Sequence, residues 1–285
     1  MATTGVIRAT TRVAMVWPGH AIVECDIVDL RAEPRDDAEL VDQAHFGERL
    51  RLLAERGEWR YVQGEDQYFG WVRGRSAPAL IKYPRGLLAV AVPLADVHEL
   101  PDPDSPVIAR FPAGALLPSV SDARAPSGWH LVPMGSTDPV SKEGFLSTGA
   151  LVEVADLPHR YPTADDLLRT AEAFLGVPYL WGGTTALGMD CSGFVQQVYR
   201  LNGVALPRDA DQQAVLGRRV EEARAGDLLF FGAGQVTHVA LATSRSEFIH
   251  APQVGGAVER SQLGGDRRLL AIRRYLPGVS MEDRE

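Results

Sequence analysis

Over roughly the first 155 residues, apolar positions fall in short runs that alternate with polar ones and are broken by Gly, Pro and Asp. Period-two runs between turn residues predict β-strands. The runs also recur. Residues 28–34, 46–53, 57–62 and 68–72 form one set, and residues 90–94, 111–117, 127–132 and 144–146 form a second in the same order. Trp59 and Trp129 hold matching places, as do Gly70 and Gly144. Two β-rich units of one design are therefore expected, with the tryptophans in their cores.

From Tyr161 the period lengthens. Residues 165–175 carry apolar side chains at helical spacing, with Thr163 as N-cap and Gly176 and Pro178 as stops. A Gly-Gly turn leads to a second helix over 191–201, where Phe194, Val195, Val198 and Leu201 share one side. Residues 227–231, 238–242, 247–250 and 269–275 read as strands. Helices followed by an antiparallel sheet make an α+β domain. The chain divides into units at 13–82, 83–155 and 160–277, with Pro158 and Pro162 flanking the linker.

Composition narrows the function. The chain has 285 residues, 45% of them hydrophobic and 23% charged, with net charge −8. A sizeable core is possible, whereas the acidic balance argues against nucleic acid and against adhesion to anionic lipid or wall polymer. No stretch approaches the roughly 18 apolar residues of a membrane span. The first eight residues lack the charged and apolar regions of a secretory signal, so a cytoplasmic protein is expected. Two cysteines, Cys25 and Cys191, do not make a disulfide framework. Cys25 reads as a small buried apolar residue.

Cys191 reads differently. A Gly-rich loop, 182–188, runs into the second helix and leaves Cys191 in its first turn, where unpaired amides and the positive end of the helix dipole gather. Such a place, with a cation nearby, lowers a thiol pKa from about 8.5 towards roughly 3.5–7.5. Gly193 is expected to keep the sulfur open to approach, and the Cys191 amide to face a developing oxyanion. His238 opens one strand and His250 lies twelve residues on, so a hairpin brings both imidazoles to one sheet end. His238 would then take the thiol proton and His250 would fix its tautomer. Neither zinc-site Cys pairing nor a Gly-x-Ser-x-Gly elbow occurs, and no cofactor is expected.

Five blocks in order, Pro178-Tyr-Leu-Trp-Gly-Gly183, Asp190-Cys-Ser-Gly-Phe-Val195, Leu206-Pro-Arg-Asp-Ala-Asp-Gln-Gln213, Gly226-Asp-Leu-Leu-Phe-Phe231 and His238-Val-Ala-Leu241 with His250-Ala251, resemble the NlpC family over residues 160–277. The resemblance implies a papain-like fold, cysteine peptidase activity on cell-wall peptides and a triad of Cys191, His238 and His250. It places Tyr179 beside the nucleophile, Asp190 and Ser192 in the substrate pocket, and Arg208 and Asp209 on its far wall. Arg208 suits a γ-D-glutamate carboxylate, and equally a structural salt bridge. Relatives often carry Ser where this chain has Ala210, which removes one substrate hydrogen bond.

The β-rich units resemble bacterial SH3-like barrels, and their order ahead of the peptidase is similar to a dipeptidyl-peptidase subgroup of the family. By that likeness Glu48 and Tyr68 of the first barrel join Asp190 in an anionic cup for the free amine of L-alanine. Free murein tripeptide or tetrapeptide is then the expected substrate, cut at the γ-D-glutamyl–diamino acid bond during recycling. An exported hydrolase of intact wall, a binding protein without turnover and an acyltransferase stay open as alternatives, as do the oligomeric state and the third substrate residue.

Overall fold

The computed structural model describes residues 19–74, 86–119, 124–134, 142–154, 162–264 and 267–276. The expected domain limits, the amino-terminal stretch and Pro158 lie outside the described residues.

The first unit contains β1 (His20–Ile22), β2 (Ile27–Arg31), β3 (Leu40–His45), β4 (Arg49–Arg56), β5 (Trp59–Gln63) and β6 (Phe69–Arg73). They form one antiparallel sheet in the order β1-β4-β5-β6-β2-β3, closed over Val23, Leu30, Ala44, Leu50, Val62 and Val72. The second contains β7 (Leu87–Val90), β8 (Leu94–His98), β9 (Val107–Pro112), β10 (Leu116–Pro118), β11 (Trp129–Met134), β12 (Lys142–Ser147) and β13 (Leu151–Glu153). Its two sheets run β10-β7-β13 and β11-β12-β8-β9 around Phe111, Val97, Leu117, Val132 and Leu146.

The matched glycines have one cause. A Cβ on Gly70 would lie 2.7 Å from the Leu30 Cβ, and one on Gly144 would lie 2.4 Å from Val97 Cγ1. At both places a strand crosses its neighbour too closely for any side chain. The matched tryptophans correct the expectation. Trp59 and Trp129 are only half-buried and belong to neither core. They open β5 and β11 at the barrel surface, while aliphatic side chains and Phe111 fill the interiors. Cys25 is likewise exposed rather than buried. The barrels meet through a Phe46–Phe111 stack at 4.6 Å and through the Leu116 amide, which donates to Phe46 O at 2.7 Å.

The third unit opens with α1 (Ala164–Ala173), whose Thr163 cap and Asp166 form the reciprocal capping box. The hairpin of β14 (Thr184–Thr185) and β15 (Gly188–Met189) leads into α2 (Cys191–Arg200), then α3 (Ala210–Val215). The strands β16 (Arg218–Arg219), β17 (Leu228–Phe231), β18 (His238–Ala242), β19 (Glu247–His250), β20 (Glu259–Gln262) and β21 (Leu269–Arg274) form an antiparallel sheet ordered β16-β21-β17-β18-β19-β20. Helix α2 is buried from Cys191 through Tyr199. Its Phe194, Val195 and Val198 join the core against β17 and β18, while Gln196 bonds to Asp66 of the first barrel at 3.2 Å. A helix covered on both sides holds its first residue in a fixed place.

Candidate active site

Asp190 starts the site. Its carboxylate caps α2 by accepting from Gly193 N at 2.7 Å, and accepts from Gly182 N at 2.9 Å in the Gly-rich loop. Cap and loop together set Cys191 at the first helical position. There its own amide has no acceptor within the helix. Cys191 is 9% exposed, and its sulfur lies near the backbone amide of Val239, the second residue of β18. His238, the first residue of that strand, is also 9% exposed.

The two imidazoles are joined. His238 Nε2 lies 2.7 Å from His250 Nδ1, with the rings nearly perpendicular. The tautomers follow from the neighbours. Arg267 Nη1 lies 3.3 Å from the same His250 Nδ1, and a guanidinium only donates. His250 Nδ1 is therefore an acceptor, its Nε2–H donates to Ser261 Oγ at 3.1 Å, and His238 Nε2 carries the proton of the inter-imidazole bond. His238 is left with a basic Nδ1. Arg267 and Ser261 carry no sequence signature, so only the fold reveals them.

Charge states depart from the sequence expectation. Burial, with the Asp190 carboxylate adding to it, pushes the Cys191 thiol up to about 11, against the lowering expected from the helix dipole. Burial, then His250 and the Arg267 cation, pushes His238 down to about 3, and His250 falls to about 4 from burial and Arg267. At rest Cys191 is therefore a neutral thiol and His238 a neutral imidazole. Gly193 is also reassigned. A Cβ there would lie 2.3 Å from Gly183 O, so the glycine permits the loop to pack on the helix rather than clearing the sulfur. Tyr179 lies near Cys191 and Asp190, and burial, with those two groups adding to it, raises its hydroxyl to about 12.

The expected ammonium cup does not assemble as drawn. Glu48 is buried, pairs with Arg200 at the far end of α2 and sits 3.4 Å from His45 Nδ1. The imidazole of His45 is held neutral by burial, its pKa down at about 3, so that contact is not an ion pair. Asp190 is occupied by its amides and by Arg208. Arg208 in turn is 1% exposed and donates to Asp190 Oδ1 (3.0 Å) and Oδ2 (2.7 Å), to Asp42 Oδ1 (2.9 Å) and to Ser192 Oγ (2.9 Å). Of the two readings open for Arg208, the structural salt bridge is the one formed, and Ser192 belongs to that network. Tyr68 and Asp209 do come together. The Tyr68 hydroxyl donates to Asp209 Oδ2 at 3.0 Å across the barrel–peptidase boundary. Asp209 is half-buried, and its carboxyl is raised chiefly by desolvation. Between barrel and α2 lies a cavity of about 860 Å³ lined by Asp42, Glu48, Asp66, Tyr68, Gln197 and Arg200, among others.

Residues 176–269 match the NlpC/P60 family and residues 30–76 match the bacterial dipeptidyl-peptidase SH3 domain. The gamma-D-glutamyl-L-lysine dipeptidyl-peptidase of Bacillus subtilis is 32% identical over 257 residues, covering 81% of this chain and 80% of that one. Dipeptidyl-peptidase 6 of Lysinibacillus sphaericus is 30% identical over 258 residues, covering 86% and 92%. The crystal structure of an NlpC/P60 family protein from Bacillus cereus superposes with a TM-score of 0.78 at 24% identity, over 90% of this chain and all of that one, and bears out the fold. An SH3 domain precedes a papain-like domain, and the chain belongs to the NlpC/P60 family of cysteine peptidases.

Proposed function

We propose that this chain hydrolyses the γ-D-glutamyl–diamino acid bond of free murein peptides that begin with L-alanine, with Cys191 as nucleophile, His238 as base and His250 as its orienting partner. The observation that carries the reading is the 2.7 Å bond between His238 Nε2 and His250 Nδ1, which leaves an unprotonated Nδ1 on His238, the residue before Val239, whose amide lies near the Cys191 sulfur. The name of the relative from Bacillus subtilis supports the substrate class.

In the proposed reaction the thiol proton passes to His238 Nδ1 as Sγ bonds to the γ-carbonyl carbon of D-glutamate. The carbonyl oxygen becomes an oxyanion facing the Cys191 amide. Collapse breaks the C–N bond, and the imidazolium returns its proton to the leaving amine of the diamino acid. A thioester remains. His238 then takes a proton from water, hydroxide adds to the thioester, and L-Ala-γ-D-Glu leaves as the sulfur regains its proton.

Substrate selection rests on the boundary. The Asp209 carboxylate, with the Tyr68 oxygen beside it, is the proposed receptor for the L-alanine ammonium; Glu48 is not part of it. A half-buried carboxylate left without its cation is costly, so a free amino terminus is favoured over an acylated one. Such a site prefers released peptide to intact wall, in keeping with recycling inside the cell and with an exposed unpaired Cys25 thiol. Tyr179 borders the nucleophile.

Purified protein in reducing buffer, given the free tripeptide or the sacculus in parallel, tests the reading by mass spectrometry. Release of L-Ala-γ-D-Glu from the tripeptide, lost in Cys191→Ala, supports it. Solubilisation of sacculi with poor use of the tripeptide favours an exported wall hydrolase and overturns it.

A further inference from the structure

We infer that Asp42 of the first barrel is a positioning residue for the nucleophile, acting through Arg208 and Asp190 on the first turn of α2. The inference rests on the proposed role of Cys191.

Three ionisable side chains join across the barrel–peptidase boundary, all nearly sealed from water: Asp42 at 4%, Arg208 at 1% and Asp190 at 7% exposure. Arg208 Nε donates to Asp42 Oδ1 at 2.9 Å, and its two terminal nitrogens hold both oxygens of Asp190. Asp190 spends those same oxygens on Gly193 N and Gly182 N, the cap of the helix and the turn of the loop that frame Cys191. Arg208 Nη1 also holds the Ser192 hydroxyl, which donates to Asp190 Oδ1 at 3.1 Å. Asp42 therefore decides where the fork of Arg208 points, and the fork decides where the cap sits.

The chemistry demands this third member. A buried guanidinium with one carboxylate leaves its Nε–H unmet, and the planar fork turns towards any other acceptor. Asp42 lies on β3, two residues after Leu40, whose backbone packs on Gly182; a Cβ on Gly182 would come within 2.2 Å of Leu40 O. The same barrel strand thus abuts both the loop and the relay. The barrel is part of the catalytic frame and not only a wall of the cleft.

Asp42→Ala, Asp42→Asn and Glu39→Ala separate this from simple docking. Glu39 accepts from Trp181 Nε1 at 2.8 Å, an exposed contact across the same boundary that does not touch the relay. Asp42→Ala is expected to lower kcat on the order of 10- to 100-fold, as small displacements of reacting groups do, with KM changed less than about threefold. Asp42→Asn, which keeps an acceptor for Nε, is expected to recover most of kcat, and Glu39→Ala to stay within about twofold of the parent. A readout independent of any peptide is iodoacetamide alkylation of Cys191 against pH, resolved from Cys25 by peptide mapping. Loss of the Arg208 cation from its place moves the Asp42→Ala profile to higher pH. An unmoved profile with unchanged kcat in folded Asp42→Ala overturns the inference, as does an equal loss in Glu39→Ala. If no variant or parent turns over tripeptide but the alkylation profile moves, the relay stands and the proposed substrate falls.

Discussion

His238 has one nitrogen committed to His250 and one left for chemistry, and that division is the centre of the site. Replacing His238 by Ala removes the proposed base and is expected to cost about 10²–10⁴ in kcat. His250→Asn keeps a polar side chain near the ring but loses the fixed Nδ1 acceptor, so a smaller loss is expected in the same steady-state assay. Because burial holds thiol and imidazole neutral, the free enzyme should lack thiolate ultraviolet absorbance at neutral pH, measured as parent minus Cys191→Ser. Strong thiolate absorbance at that pH contradicts a neutral resting pair. At the barrel–peptidase boundary, Tyr68→Phe removes the hydroxyl from Asp209. KM for free tripeptide should rise several-fold, with kcat little changed. The placing of Cys191 at a helix start and of His238 beside His250 is legible in the sequence because a helix start and a hairpin are local patterns. The pairing of Glu48 with Arg200 is not legible, because a carboxylate on a turn carries no sign of its partner and Arg200 lies 152 residues away.

Helix α2 turns local pattern into a rigid site, and Gly193 shows how little room it has. A methyl group there would meet Gly183 O at 2.3 Å, backbone against backbone. Gly193→Ala is expected to destabilise by about 1–3 kcal/mol through overpacking. The corresponding fall in Tm is roughly 2–4 °C per kcal/mol for a chain of this size class, and activity should fall with it because the loop and the helix start move apart. Differential scanning calorimetry checks the first and tripeptide turnover the second; an unchanged Tm removes the packing argument. The sequence expectation for α1, α2, β18 and β19 agrees closely with the elements formed. Helix α3 was not anticipated, since six residues give less than two turns of period. Strand β20 escaped for another reason: Glu259–Gln262 is polar throughout and pairs at a sheet edge, where no alternation is imposed.

Across the whole molecule, the boundary between first barrel and peptidase concentrates groups whose protonation differs between folded and unfolded chain. His45 is fully buried, bonds Thr184 Oγ1 at 3.1 Å and has its pKa lowered to about 3. The unfolded imidazole takes up its proton near pH 6.5, the folded one only near 3, so the unfolded state binds more protons between those values. Stability contributed by neutral His45 is present above pH 6.5 and is lost as the pH falls towards 3. His45→Gln should lessen acid destabilisation in that window, by at most a few kcal/mol, as read from urea midpoints at pH 7 and pH 4. Buried Asp42 and Glu48, whose pKa values are raised by desolvation, act in the opposite direction, so the comparison is of variant against parent. Two barrels and a papain-like domain could be read from repeats and motifs. The boundary between first barrel and peptidase could not, because its contacts join residues more than a hundred positions apart.

The claim on which the reading depends is that one sulfur, at the tip of α2, carries the acyl group. Acid-quenching the enzyme within the first turnover of tripeptide and mapping its peptides by mass tests this directly. The account predicts an L-Ala-γ-D-Glu thioester on Cys191, absent from Cys191→Ala and from unreacted protein. Dipeptide formed at full rate by Cys191→Ala, or an acyl group carried by any other residue, contradicts it.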